Sequence, residues 1–61
     1  MLFELVERLP DDQRRVIELR FVEGRNLLEI ADQLGKTEGA IKQLQRRALA
    51  RLRTAWEASH A

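Results

Sequence analysis

The chain contains no cysteine among its 61 residues, which excludes both disulfide bonds and thiolate zinc sites. A lack of cysteine is typical of proteins in the reducing cytoplasm, where we expect this protein to act. The chain also lacks any apolar run near the roughly 20 residues that a membrane-spanning helix requires. Its start carries Glu4, Glu7 and Arg8 between the apolar positions, so it does not resemble a signal peptide. The sequence therefore predicts a protein that does not insert into a membrane.

Aromatic residues and histidine are scarce, with two Phe, one Trp and one His in the whole chain. The hydrophobic fraction of 44% is mostly aliphatic and indicates a thin helical core. His60 lies in the tail 58–61, which we expect to fray, and the carboxylates are spread along helix surfaces. No glycine-rich phosphate loop occurs. We therefore expect no enzyme, metal site or cofactor, and a chain this short allows one domain at most, residues 1–61.

The net charge of +1 conceals an uneven distribution. Residues 1–35 carry eight acidic and five basic side chains, a balance of −3, whereas residues 36–61 carry two acidic and six basic ones, a balance of +4. Positive charge concentrated in one part of a chain is typical of an element that binds a polyanion. A solvated basic helix face would give the same pattern, so charge alone does not decide between the two.

The apolar residues predict an all-α fold of four helices, and no segment shows the alternation of a strand. We expect a short helix over Leu2–Leu9. A second helix is expected to have Pro10 in its first turn and to run to about Glu23. A third helix is expected over residues 27–34, and a long last one from 37 to about 57. The last helix has its apolar face toward the other three, and its second half is expected to pack on the N-terminal helices.

Residues 27–47 have the pattern of a helix-turn-helix. Gly35 supplies the left-handed residue that ends the first helix, and Thr37 is a good N-cap for the second. Ala31 is small, as a steep crossing of two helices through a short turn requires. The apolar residues expected to face one another across this crossing are Ile30, Leu34, Ile41, Leu44 and Ala48.

The opposite face of the last helix carries residue types that read DNA. Arg can pair with O6 and N7 of guanine, and Gln can pair with adenine, in the major groove. The N-terminal half of the second helix enters the groove in this motif, and that half carries Lys42, Gln43, Arg46 and Arg47. Lys36 and Thr37, at the turn and the helix start, are better placed for phosphates. The sequence therefore predicts binding to double-stranded DNA.

Two residues of this helix do not fit a simple pattern. Gly39 lies in the first turn, where it costs about 1 kcal/mol of helix propensity relative to alanine. Close approach of the helix backbone to DNA would explain it, and so would simple tolerance near a helix start. Gln45 falls on the inward face, where we expect it to bond to the backbone of a neighbouring segment.

A longer pattern surrounds the motif and resembles region 4 of bacterial RNA polymerase sigma factors, most of all the extracytoplasmic-function (ECF) group. It reads Leu9-Pro10-x-x-Gln13-Arg14-x-Val16-Ile17-x-Leu19-Arg20-Phe21-Val22-Glu23-Gly24, then the turn motif, then Thr37-Glu38-Gly39-Ala40-Ile41-Lys42. The resemblance covers roughly residues 5–53. It implies that the last helix binds the −35 promoter element, that the domain docks on the flap of the polymerase β subunit, and that an anti-sigma factor captures it.

By position, the family's DNA contacts correspond to Lys42, Gln43, Arg46 and Arg47. Many members have Ser-Arg where this chain has Gln43-Leu44, which leaves the bases that are read open. From the resemblance we expect that the domain which binds the −10 element is not part of these 61 residues, and that the opening Met1-Leu2-Phe3 is a cut in a longer protein. The resemblance places the protein at the nucleoid in the bacterial cytoplasm.

The N-terminal helices offer apolar residues that a small core does not need. The second helix has apolar residues around much of its circumference, which implies contacts on more than one side. The residues expected to contact another chain, the flap or an anti-sigma factor, are Leu2, Phe3, Val6, Val16 and Phe21.

Two alternative functions stay open: a LuxR-like DNA-binding output domain, and a helix-turn-helix that serves mainly to bind a protein.

Overall fold

The computed structural model describes the backbone of residues 2–60 and the side chains of residues 4–59, and every regular element in that part of the chain is helical. The predicted all-α fold is confirmed. The elements are α1 (Leu2–Glu7), α2 (Asp11–Ile17) with a π-helical continuation (Glu18–Val22), α3 (Leu27–Leu34) and α4 (Glu38–His60). None of the described helices is both long and apolar enough to cross a membrane.

The second helix differs from its predicted form. Pro10 precedes the helix, with φ −53° and ψ 149°, and its carbonyl oxygen accepts from the N–H of Arg14 at 2.8 Å. After Ile17 the backbone widens into a π-helix, in which the N–H of Glu23 donates to the carbonyl oxygen of Glu18 at 3.1 Å. Gly24, with φ 69°, follows the helix, which ends close to the expected residue 23. The helix thus holds the predicted length but not the predicted hydrogen-bond pattern.

Helix α3 is closed at both ends by local hydrogen bonds. At its start, Asn26 Oδ1 accepts from the N–H of Glu29 at 2.8 Å, and Glu29 Oε1 accepts from the N–H of Asn26 at 3.0 Å. At its end, the N–H of Lys36 donates to the carbonyl oxygen of Ala31 at 2.9 Å, with Gly35 at φ 65°. These are a capping box and a Schellman motif, so the length of α3 is set by its own flanking residues.

Helix α4 begins as predicted and runs longer than predicted. Thr37 Oγ1 accepts from the N–H of Ala40 at 3.1 Å, which confirms the N-cap. The helix continues to His60, three residues beyond the expected end at 57. Near that end Ser59 Oγ donates to the carbonyl oxygen of Ala55 at 2.9 Å, and Arg53 Nε lies 2.9 Å from Glu57 Oε1. The tail that was expected to fray is therefore helical through residue 60.

The buried residues form two clusters, and α4 contributes to both. The first lies where α2 and its π-helical continuation, α3 and the start of α4 meet, and it contains Val16, Leu19, Ile30, Ala31 and Ile41. The second contains Leu9, Ile17 and Ala48, with Val6 and Leu52 packed against it. Since Val6 and Leu9 belong to the N-terminal part, the prediction that the second half of α4 packs on the N-terminal helices is confirmed.

Candidate nucleic-acid interface

The packing of α3 on α4 fixes which face of α4 is turned outward. Ile30 of α3 and Ile41 of α4 are fully buried in the same cluster, in which Ala31 is only 4% exposed. Ala48, two turns after Ile41 on the same face, is also fully buried. Two buried anchors on one face leave the helix no freedom to roll about its axis. The predicted helix-turn-helix register is therefore the one that the structure has.

All six residues predicted to bind DNA are exposed. Four of them lie on α4, opposite its buried face, and two precede it at the turn: Lys42, Gln43, Arg46 and Arg47, then Lys36 and Thr37. The spacing of three and four residues between the members on α4 puts them on neighbouring turns of one face. The structure thus brings the predicted residues to one continuous surface, from the turn to the middle of α4.

The cations of this surface differ in whether they already have a partner. Lys42 Nζ lies 3.7 Å from Glu38 Oε1, an exposed pair one turn apart that contributes little to stability. Arg46 and Arg47 form no ion pair within the described part of the chain. Their guanidinium groups can therefore meet a polyanion without breaking a bond inside the protein, whereas Lys42 must exchange one partner for another.

The Thr37 hydroxyl combines two functions. Its oxygen accepts from the N–H of Ala40, which caps α4. A hydroxyl also has one proton to donate, and that proton is not used by the cap. The side chain is exposed at the start of α4, where backbone N–H groups and the helix dipole favour an anion. Thr37 can thus cap the helix and donate to a phosphate at the same time.

Two glutamine side chains have buried oxygens that accept no hydrogen bond from the described residues. Gln45 is half-buried, and its Oε1 has no hydrogen-bond partner within residues 4–59, so the predicted bond to a neighbouring backbone is not found there. Gln13 is only 6% exposed, and its Oε1 is likewise unpaired. Each glutamine lies about one turn before a residue of the second cluster: Gln13 before Ile17, and Gln45 before Ala48. The burial of Gln13 was not predicted from the sequence.

A groove on a different face holds part of the predicted protein-binding surface. It measures about 460 Å³ and is lined by Val6, Ile17, Phe21, Leu49, Leu52, Arg53 and Trp56. We call it the apolar groove. Phe21, which is 59% exposed, and the half-buried Val6 were predicted for a partner surface and do line it. Leu49 and Trp56, each 43% exposed, also line the groove, although neither was predicted to contact a partner.

The prediction that Val16 contacts a partner is wrong. Val16 is fully buried in the first cluster, because the face of α2 that carries it is covered by α3 and α4. The wide apolar arc of this helix does have two sides, but Val16 lies on the inner one. The side chains of Leu2 and Phe3, also predicted for the partner surface, lie outside the described residues.

Comparisons with known proteins point to one family. The family model described as Sigma-70, region 4 matches residues 5–54. Among named relatives, the ECF RNA polymerase sigma factor BldN of Streptomyces coelicolor is 46% identical over 48 residues, 79% of this chain and 18% of BldN. The ECF RNA polymerase sigma factor SigD of Mycobacterium tuberculosis is 46% identical over 50 residues, 82% of this chain and 24% of SigD.

A solved structure of an RsbN–BldN complex is similar to this chain with a TM-score of 0.86 and 42% sequence identity. The match covers 88% of this chain and 39% of the solved one. The chain thus spans about a fifth to a quarter of the length of the named relatives.

Proposed function

Since the chain belongs to the Sigma-70, region 4 family, we propose that it recognises the −35 element of promoters as part of an ECF sigma factor. In bacterial transcription initiation it would bind double-stranded promoter DNA while the rest of the factor and the polymerase core act on other parts of the promoter. The observation that supports this most directly is the outward face of α4. Its cations are exposed, and Arg46 and Arg47 have no ion-pair partner in the described residues.

The proposed mechanism places α4 in the major groove. Lys42, Gln43, Arg46 and Arg47 reach base edges or the flanking phosphates, where Arg favours guanine and Gln favours adenine. Lys36 and Thr37 bind the phosphate backbone and fix the position of the helix along the DNA. Because Ile41 and Ala48 hold the opposite face of α4 in the core, these side chains face the groove without a cost for ordering the helix.

The proposed function includes two protein partners. The apolar groove is of the size and character that accepts an apolar helix face, and we assign to it docking on the flap of the polymerase β subunit. An anti-sigma factor that covers this groove would compete with the polymerase. The relative BldN has been solved in a complex with RsbN, which supports control of this kind for the present chain.

The experiment is selection of bound sites from random duplex DNA with the full-length factor assembled on core polymerase. We expect a motif upstream of the −10 element that disappears when Arg46 and Arg47 are both changed to alanine. Affinity for the selected site should fall steeply with salt, because phosphate contacts release counterions. A selected motif without any −35 component, or binding that salt leaves unchanged, would instead favour a helix-turn-helix that serves mainly to bind a protein.

A further inference from the structure

Gly39 is exposed in the first turn of α4, and nothing inside the protein requires a glycine there. Its φ is not in the left-handed region, unlike those of Gly24 and Gly35, which are 69° and 65°. A Cβ added at Gly39 would meet no atom of the described residues within 4 Å, leaving aside the adjacent backbone. An alanine would therefore fit the free protein, and it would favour the helix, since glycine is among the poorest helix formers.

Gly39 lies in line with the residues proposed to read DNA. At about 100° per residue, Gly39 and Arg46 fall within about 20° of one another, and Gln43 within about 40°. Gly39 is also nearer than any of them to the N-terminus of α4, the end that enters the groove deepest in this motif. The missing side chain is thus at the centre of the outward face and at its leading end.

We propose that Gly39 is the point where the backbone of α4 makes its closest approach to DNA, and that the lack of a Cβ sets how deep the helix enters the major groove. This inference rests on the proposed function. The neighbouring side chains of Lys42, Gln43 and Lys36 are long and can move aside when DNA arrives. A Cβ is fixed to the backbone and cannot, so it would hold the whole helix away from the bases.

The variant Gly39→Ala separates this role from a structural one, because stability should be kept or rise while promoter affinity falls. We expect the melting temperature of the chain, followed by circular dichroism, to stay the same or to rise by a few degrees. We expect the affinity of the assembled factor for promoters with an intact −35 element to fall roughly tenfold. Gly39→Leu should lower the affinity further, in the order of side-chain size.

Ala50→Leu is the matched control. Ala50 is exposed on the same face of α4, but eleven residues later, about 16 Å along the axis. The larger side chain there should change promoter affinity less than twofold. Equal losses for Ala50→Leu and Gly39→Leu would overturn the inference.

The outcomes also separate this inference from the proposed function. If Gly39→Ala binds like the wild type while the Arg46 and Arg47 variants lose the −35 element, close approach at Gly39 is wrong and promoter recognition stands. If the wild-type factor shows no preference for any −35 sequence, the proposed function fails first, and the inference fails with it. A melting temperature clearly below that of the wild type would show an internal need for glycine and would also overturn the inference.

Discussion

Ala31 of α3 is buried in the first cluster, which also contains Ile41 of α4. It is 4% exposed and shares that cluster with the fully buried Ile30 and Ile41. Its carbonyl oxygen also accepts the N–H of Lys36, so the same residue belongs to the turn that redirects the chain. A larger side chain there would have to displace either the neighbouring helix or the turn itself.

Ala31→Leu is therefore expected to destabilise the protein by about 1–3 kcal/mol, as overpacking of a core usually does. In a chain this short, each 1 kcal/mol corresponds to about 4–8 °C in melting temperature. Thermal unfolding followed by circular dichroism measures the change, with Ala58→Leu as the control, since Ala58 is exposed on α4. A melting temperature equal to that of the wild type would mean that α3 and α4 do not cross at Ala31.

Arg46 and Arg47 present the opposite case, because both are exposed and neither supports the fold. We expect Arg46→Ala and Arg47→Ala to leave the melting temperature unchanged and to reduce −35-dependent transcription by the reconstituted factor. Each lost base contact should cost about 1–3 kcal/mol of binding free energy. Arg15→Ala is the matched control, since Arg15 is an exposed cation on α2. Wild-type transcription by the double variant would remove both residues from the site.

Among the helices, the sequence predicts best those features that depend on nearby residues. The end of α3 and the start of α4 are set by Gly35 and Thr37, and both were predicted because each acts on hydrogen bonds within one turn of itself. The π-helical segment after Ile17 was not predicted. There the backbone hydrogen bonds change from an i→i+4 to an i→i+5 pattern. No residue type specifies this change, because it depends on how the whole helix packs.

The site shows the same division. The outward residues of α4 follow from its period, once the inward face is known, and they were predicted individually. The apolar groove was predicted only in part, because it joins α1, α2 and the second half of α4, which are distant in sequence. Val16 was assigned to the wrong side of α2 for the same reason, since periodicity identifies an apolar face but not the element that covers it.

The capping box of α3 gives a prediction at this scale. Asn26→Ala removes one hydrogen bond directly and leaves the Glu29 side chain without its reciprocal partner. We expect a loss of about 0.5–2 kcal/mol, the usual cost of an N-cap in a folded protein. Urea denaturation measures it, with Gln33→Ala, exposed on the same helix, as the control. Equal stability of the two variants would show that packing alone holds the start of α3.

Helix α4 contributes to two different surfaces along its length. Its 23 residues span about 34 Å at 1.5 Å per residue, nearly the 38 Å of the longest axis of the molecule. On α4, the proposed DNA face extends to Arg47, and the first residue that lines the apolar groove is Leu49. The first is cationic and the second is apolar, so salt should weaken binding at the first and leave binding at the second nearly unchanged.

Phe21 tests the second surface because it is largely exposed and contributes little to the core. We expect Phe21→Ser to lower the affinity for the isolated flap of the polymerase β subunit roughly tenfold or more, as the loss of a central aromatic contact does. Val22→Ser is the matched control. Val22 is 69% exposed on the same π-helical segment but does not line the apolar groove. Equal losses for the two variants would mean that the flap does not bind in this groove.

The same pair of variants decides how an anti-sigma factor would act. If it occupies the apolar groove, Phe21→Ser should weaken its binding in parallel with that of the flap, and it should displace the flap in a competition assay. If it also covers Arg46 and Arg47, it should block binding to the −35 element as well, because these residues are proposed to contact that element. Flap binding and −35 binding that both survive saturation with the anti-sigma factor would show that sequestration does not involve this domain. Loss of flap binding alone would confine its contact to the apolar groove and the second half of α4.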